Sequence, residues 1–139
     1  MEEHAYINPK NMPEPNGPYQ YGLVTNGWLH IAGQLPIDPD KPGEPIPEGI
    51  KKQTEAVFKN IWRILGQAGY GPEDVVHVRN FLTDLSRDMQ GFNEIYSPQF
   101  PVGHHPPRTT VGVSQLAKGA LIEIDLVAFK QPKQSAVQC

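Results

Sequence analysis

The sequence predicts an α+β subunit in which one sheet packs against two helices. Three patterns carry this expectation. Glu48 to Ala68 repeats apolar residues at spacings of three and four, as an amphipathic helix does. Five short segments are rich in apolar and β-branched residues and are bounded by Gly, Pro or Asn, as strands are. Asn26-Gly27, between the first two segments, is a strong two-residue hairpin signal. The expected order is β-β-α-β-α-β-β in one domain, 1–139, because 139 residues suffice for one core and give no case for two.

Residues 1–14 read as an extended lead-in without a period, ending in a turn at Pro15-Asn16-Gly17-Pro18. Tyr19 to Thr25 and Trp28 to Leu35 are the strands of the hairpin. Five prolines and Gly43 make Pro36 to Pro47 a loop. In the long helix, Ile50, Thr54, Val57, Phe58, Ile61, Trp62 and Leu65 form the core stripe, and Gly66 and Gly69 suit its exit. Pro72-Glu73-Asp74 forms a brief turn before a third strand, Val75 to Leu82. A second helix runs from about Met89 to Tyr96, with Met89, Phe92, Ile95 and Tyr96 inward and Asp84 or Ser86 as a cap for it or a preceding turn. After a four-proline loop, two strands follow at Arg108 to Ser114 and Leu121 to Lys130. The tail, 131–139, has little to pack and reads as loose.

Strand side chains alternate between faces. Leu29, Ile31 and Leu35; Val76, Val78 and Leu82; Thr109, Val111 and Val113; and Ile122, Ile124, Leu126 and Ala128 are assigned to the helix side. The opposite set mixes Trp28, His30, Arg79, Phe81, Val127 and Phe129 with polar residues, and by the same parity it holds Arg108 and Glu123. That much apolar surface on an open face implies a subunit contact. A cation and a carboxylate sharing this face either line a pocket or close a structural salt bridge.

Composition narrows the function classes. A net charge of −3 and no long Lys/Arg block make nucleic acid an unlikely partner and argue against an anionic membrane surface. No apolar run approaches the roughly 20 residues of a membrane span, and the acidic Met1-Glu2-Glu3-His4 start is unlike a secretory signal. The sole cysteine, Cys139, cannot form an internal disulfide, so a cytoplasmic location is the default. His104-His105 lacks metal-ligand spacing and reads as a loop or cleft-rim pair; no metal site is expected. Phosphate-loop and nucleophile-elbow signatures are lacking.

The remaining feature is Pro106-Pro107-Arg108-Thr109-Thr110. Two prolines restrict the backbone leading into Arg108, whose planar fork of donors matches a carboxylate. Around it stand Gly17-Pro18-Tyr19, Ala32-Gly33-Gln34-Leu35-Pro36, Gln53-Thr54 with Asn60, Asn93-Glu94-Ile95-Tyr96 and Lys118-Gly119-Ala120-Leu121-Ile122-Glu123-Ile124. In this order and spacing, from Pro15 to Lys130, the chain resembles the RidA/YjgF/YER057c/UK114 family of reactive-intermediate deaminases.

The resemblance implies a chorismate-mutase-like subunit and a homotrimer with a central β-barrel and active sites between subunits. It implies hydrolysis of 2-imino and 2-enamino acids such as 2-aminoacrylate to 2-oxo acids and ammonia, without cofactor or metal. Carried over by position, Arg108 binds the substrate carboxylate and Glu123 positions or activates water. Tyr19, Ala32, Gly33, Asn93 and Thr110 line the substrate site. Ala32 stands where many members have serine, and Thr110 where many have cysteine. A non-catalytic trimeric sensor of small 2-oxo carboxylates and a specialised enamine deaminase of a catabolic pathway are the alternative readings; a retained Glu123 favours catalysis.

Overall fold

The computed structural model describes residues 4–132. The loose tail expected from residue 131 therefore lies mostly outside the described residues, as does Cys139. Six strands form one sheet in the order β1-β2-β3-β6-β4-β5, and two helices cover one of its faces. The strands are β1 (Ala5–Ile7), β2 (Gly22–Thr25), β3 (Trp28–Ile31), β4 (Val75–Leu82), β5 (Arg108–Gly112) and β6 (Ile122–Phe129). All neighbours are antiparallel except β4 and β5, which run parallel and are joined through a helix.

The lead-in is more than extended chain. Ala5–Ile7 adds a sixth strand at the β2 edge, and the Asn8 side chain holds it there by accepting from the Tyr21 backbone N–H at 3.0 Å. Three residues are too few to show a period, which is why the sequence reads them as irregular. The hairpin turn is as expected: Asn26 and Gly27 both have positive φ, 49° and 85°, and Thr25 pairs with Trp28. Both strands of the hairpin are shorter than expected. The chain leaves the β3 ladder at Ala32-Gly33 and rejoins β6 only through a single bridge from Gln34 to Ile124.

Helix α1 (Ile50–Ala68) starts two residues after the expected Glu48, because Gly49 has φ 87° and cannot continue a right-handed helix. It ends at left-handed Gly69, whose N–H donates to the Gly66 carbonyl. Its buried side includes Val57, Phe58, Ile61, Ile64 and Leu65. Helix α2 (Leu85–Tyr96) starts four residues before the expected Met89. Asp84 caps it by accepting from the Arg87 backbone N–H, and Arg87 satisfies the buried Asp88 through two hydrogen bonds of 2.9 and 2.8 Å. Ser86-Arg87-Asp88 looks like a polar turn in sequence, yet it is the helix's first turn.

The helix side of the sheet holds Leu29, Ile31, Val78, Leu82, Ile122, Ile124, Leu126 and Ala128, all buried. Three assignments to this side are corrected. A bulge between Val75 and His77 buries Val75 and turns Val76 out. Leu35 lies beyond the strand and is only half-buried. On β5 the parity is inverted: the parallel register pairs Arg108 with Val78 and Thr110 with Asn80, so Arg108 and Thr110 take the helix side. Thr109 and Val111 face out. Thr-Thr-Val alternates equally well in either phase, and only the pairing with β4 selects one.

Asn60, fully buried on α1, ties the loop after β3 to the helix. Its amide donates to the Leu35 and Ile37 carbonyls at 3.1 and 2.9 Å. Replacing it by alanine leaves two buried carbonyls unpaired, so Asn60→Ala is expected to cost about 2–4 kcal/mol in a denaturant melt. A loss below about 0.5 kcal/mol would show that water replaces the amide freely.

Candidate active site

Seven residues were singled out in sequence, and the fold sorts them into two groups on opposite faces of the sheet. The first group is Arg108, Thr110 and Asn93, on the side of α2. The guanidinium carbon of Arg108 lies 4.7 Å from the Tyr96 ring centroid and 5.4 Å from that of Phe92. The two rings hold the guanidinium by cation–π attraction, and none of its N–H groups makes a hydrogen bond among the described residues. No carboxylate among the described residues pairs with it. It borders an open cleft of about 400 Å³ whose other walls are Asn93, Tyr96, Ser97, His105 and Pro106. A fixed cation with free donors in a cleft without an acidic side chain is suited to an incoming carboxylate.

The cradle is built by α2. Phe92 and Tyr96 sit one helical turn apart and are both buried. Phe100 closes the cluster against Tyr96 and Phe58, with centroids 5.2 and 6.0 Å away. Burial pushes the Tyr96 hydroxyl up to about 12, opposed by the Arg108 charge. It remains a neutral phenol, and its oxygen has no hydrogen-bond partner among the described residues. His105 is anchored in the same cleft wall by an Nε2–H donated to the Ser97 carbonyl at 2.9 Å. The sequence assigned Phe92 and Tyr96 to the core but gave no sign that they carry the arginine. Their i, i+4 spacing beside Asn93 was the available signal.

The second group is Tyr19, Ala32, Gly33 and Glu123. Ala32 is tied to Tyr21 by a backbone hydrogen bond of 2.8 Å, and Gly33 follows at the break in the β3 ladder. Tyr19 stands edge-on to Tyr21 with ring centroids 6.3 Å apart. Tyr19 and Gly33 line a cavity of about 330 Å³ with Tyr21, Leu35, Ile37 and Lys118. Lys118, in a left-handed conformation at φ 61°, is a lining residue that the sequence reading missed. Glu123 packs directly over Gly33: a Cβ there would lie 2.9 Å from the Glu123 Cδ and closer still to its Oε2.

Glu123 makes no hydrogen bond or ion pair among the described residues. Burial first, and the neighbouring Asp125 carboxylate second, push its carboxyl above the usual range. The structural ion pair on this face is a different one. Arg79 binds Asp125 through two hydrogen bonds of 2.8 and 2.7 Å. The expectation that Arg108 and Glu123 share a face is therefore overturned. Glu123 pairs with Phe81 of β4 on the open side, whereas Arg108 pairs with Val78 on the helix side. Two strand spacings across and three residues along separate their backbones by roughly 14 Å, with side chains pointing apart. One chain does not bring them to a common small molecule.

That open face carries Trp28 tilted against Phe129, with ring centroids 4.6 Å apart, and Val76, Phe81, Val111 and Val127. Trp28 is 42% exposed. Among the described residues no cluster of three or more metal-ligating side chains occurs, and no helix is long and apolar enough to cross a membrane.

Comparison with known proteins gives a consistent result. The model of the family described as Endoribonuclease L-PSP matches residues 9–130. A RutC family protein of Pyrococcus horikoshii is 43% identical over 122 residues, covering 88% of this chain and 94% of its own. The solved structure of YyfA from Yersinia pestis, described as a protein of unknown function of the conserved Rid protein family, is 40% identical. It superposes with a TM-score of 0.85, covering 92% of this chain and 100% of that one. E. coli TdcF, solved with bound serine, is 30% identical at a TM-score of 0.83, covering 91% and 98%. With a family model matched over residues 9–130, relatives 40% or more identical, and the same α+β arrangement of a mixed sheet and two helices, the chain belongs to the RidA/RutC family.

Proposed function

We propose that the protein hydrolyses 2-imino and 2-enamino acids to 2-oxo acids and ammonia, at sites completed by two neighbouring subunits of a homotrimer. The observation that carries the reading is the Arg108 guanidinium, stacked on Tyr96 and Phe92 and without a carboxylate partner among the described residues. The serine bound to TdcF is a small carboxylate of the size such a clamp would take. The separation of Arg108 from Glu123 is the reason for invoking two subunits. An open apolar sheet face around Trp28 and Phe129 supplies a surface for the contact, and the family's barrel would cover it.

The chemistry asked of the residues is modest. Arg108 holds the carboxylate and thereby fixes C2 of the iminium, which is already electrophilic. The partner-facing Glu123 carboxylate takes a proton from water as the oxygen–C2 bond forms. Glu123 returns that proton to the nitrogen of the carbinolamine, and the C–N bond breaks with its electron pair leaving on ammonia. The hydroxyl yields its proton to water or the departing ammonia as the C=O forms, giving the 2-oxo acid and ammonium. Such general acid–base assistance contributes roughly 10²–10⁴-fold. Asn93 and Tyr19 would complete the walls, and Ala32 in place of a serine hydroxyl widens the site beside Gly33.

Imines generated by an amino-acid oxidase and trapped competitively with semicarbazide provide the test. Wild-type protein should divert imine from the trap, and Arg108→Ala should not, while remaining cooperatively folded with a melting temperature lowered by only a few degrees. Wild-type-like turnover in Arg108→Ala would sink the clamp. The two-subunit arrangement has its own test. Arg108→Ala and Glu123→Gln, each down by at least about 100-fold alone, should on co-expression recover about a quarter of wild-type activity, the fraction of interfaces that pair the two intact residues. No recovery in a verified mixed oligomer would put both residues in one subunit's site.

Two further outcomes are expected of Glu123. Gly33→Ala should cost no more than about 1 kcal/mol, because the flexible carboxylate can swing away, yet lower turnover nearly as far as Glu123→Gln. Full activity in Gly33→Ala would show that the carboxylate's position is immaterial. Glu123 works as the carboxylate, and its burial raises the pH at which it protonates. The acid-side loss of kcat/KM should therefore begin above the ordinary glutamate value of about 4.3, and should vanish in Glu123→Gln.

A further inference from the structure

Asn80 has no part in the mechanism above, and its placement in an apolar strand needs a reason. It is fully buried on β4, between Val78 and Leu82 on the helix side. Its Nδ2 donates to the Thr110 hydroxyl oxygen at 3.1 Å, while its Oδ1 is buried without a partner. A half-satisfied amide in a core is an unfavourable substitute for valine or leucine, so pure packing does not explain it. The register pairs Asn80 directly with Thr110, two residues beyond Arg108 on the same face of β5.

The hydrogen-bond inventory at Thr110 is specific. A hydroxyl has one proton and two acceptor positions. Asn80 fills an acceptor position with an N–H, so the hydroxyl proton cannot point back at that donor. No acceptor for this proton is found among the described residues. Thr110 therefore presents an O–H donor from the strand that carries the unpaired guanidinium.

Building on the proposed carboxylate clamp, we propose that Asn80 is a positioning residue. It fixes the Thr110 hydroxyl as a second donor to the substrate carboxylate alongside Arg108. A valine at 80 would leave the hydroxyl free to rotate, and a cysteine at 110 would offer only a weak S–H donor. The pair Asn80–Thr110 thus tightens binding of the carboxylate without touching C2. Its signature is in KM, with kcat unmoved.

The test is a double-mutant cycle on the assembled protein, using Asn80→Val, Thr110→Val and the pair, with Thr110→Ser as the conservative variant. KM and kcat for imine hydrolysis, the Kd for 2-oxobutanoate by calorimetry, and the melting temperature are the readouts. Thr110→Val should raise KM and Kd about tenfold, and Asn80→Val about three- to tenfold, with kcat within about twofold. Thr110→Ser should stay near wild type. In the Thr110→Val background, Asn80→Val should add nothing, and it should not lower the melting temperature. Asn80→Val that lowers the melting temperature with KM and Kd unchanged, or effects that simply add, would overturn the proposal. Thr110 lies on an edge strand, so Thr110→Val remains informative if Asn80→Val does not fold: an unchanged Kd there is also fatal. Wild-type protein that binds 2-oxobutanoate without hydrolysing imines would refute the deaminase reading and leave the cycle to be read on Kd alone. Binding of neither would remove both.

Discussion

The stack of Arg108 on Tyr96 and Phe92 decides how the rest of the molecule has to be arranged. A guanidinium held over two buried rings gains attraction of order 1 kcal/mol per ring, and its donors make no hydrogen bond among the described residues. That geometry is possible only if Arg108 turns toward α2, and α2 is held there by Tyr96 and the following Phe100 packed on Phe58 of α1, with Phe92 against Tyr96. Once the arginine commits to the helix side, the glutamate two strands away is on the other. The sheet thus lies between Arg108 and Glu123, and the proposed reaction would use both only if two subunits meet.

Much of this was legible in the residues, but unevenly. The long helix, β4 and the Asn26-Gly27 turn were readable because their signals are local: a 19-residue stripe, an eight-residue apolar run and a turn that needs positive φ. The candidate site residues were nominated through the family resemblance. Their grouping was not. Parity tells which residues of one strand share a face, but it does not say which face, unless one set is plainly apolar. On β6 the set Ile122, Ile124, Leu126 and Ala128 is unambiguous. On β5 both sets contain threonine, and only the parallel register with β4 fixes the phase. The bulge at Val76 and the capped first turn of α2 escaped for a related reason, since each depends on a partner distant in sequence or on a side chain reaching its own backbone.

The two halves also differ in electrostatic character. The arginine half is a cation with no carboxylate counterpart, softened by aromatic rings. The glutamate half is a desolvated carboxylate with no cation of its own, since Arg79 is committed to Asp125. In the proposed trimer the two halves would be complementary across the interface, cation to carboxylate. The same open face holds Trp28 and Phe129, so apolar burial and charge complementarity act in the same direction.

Asn60 and its neighbour Gln53 have a consequence for how this scaffold can diversify. The proline-rich segment that walls the cavity is pinned at its start by Asn60, through the Leu35 and Ile37 carbonyls, and at its end by Gln53, whose amide donates to the Pro47 carbonyl. Between these anchors the surface pair Arg63–Asp40 also reaches back to the helix. Lengthening such a closed loop adds little entropic cost, because that cost grows only logarithmically with length. Both ends are fastened to a helix that the core already holds, so the intervening residues can be exchanged as a cassette. New walls for the cavity can be tried without renegotiating the fold beneath them.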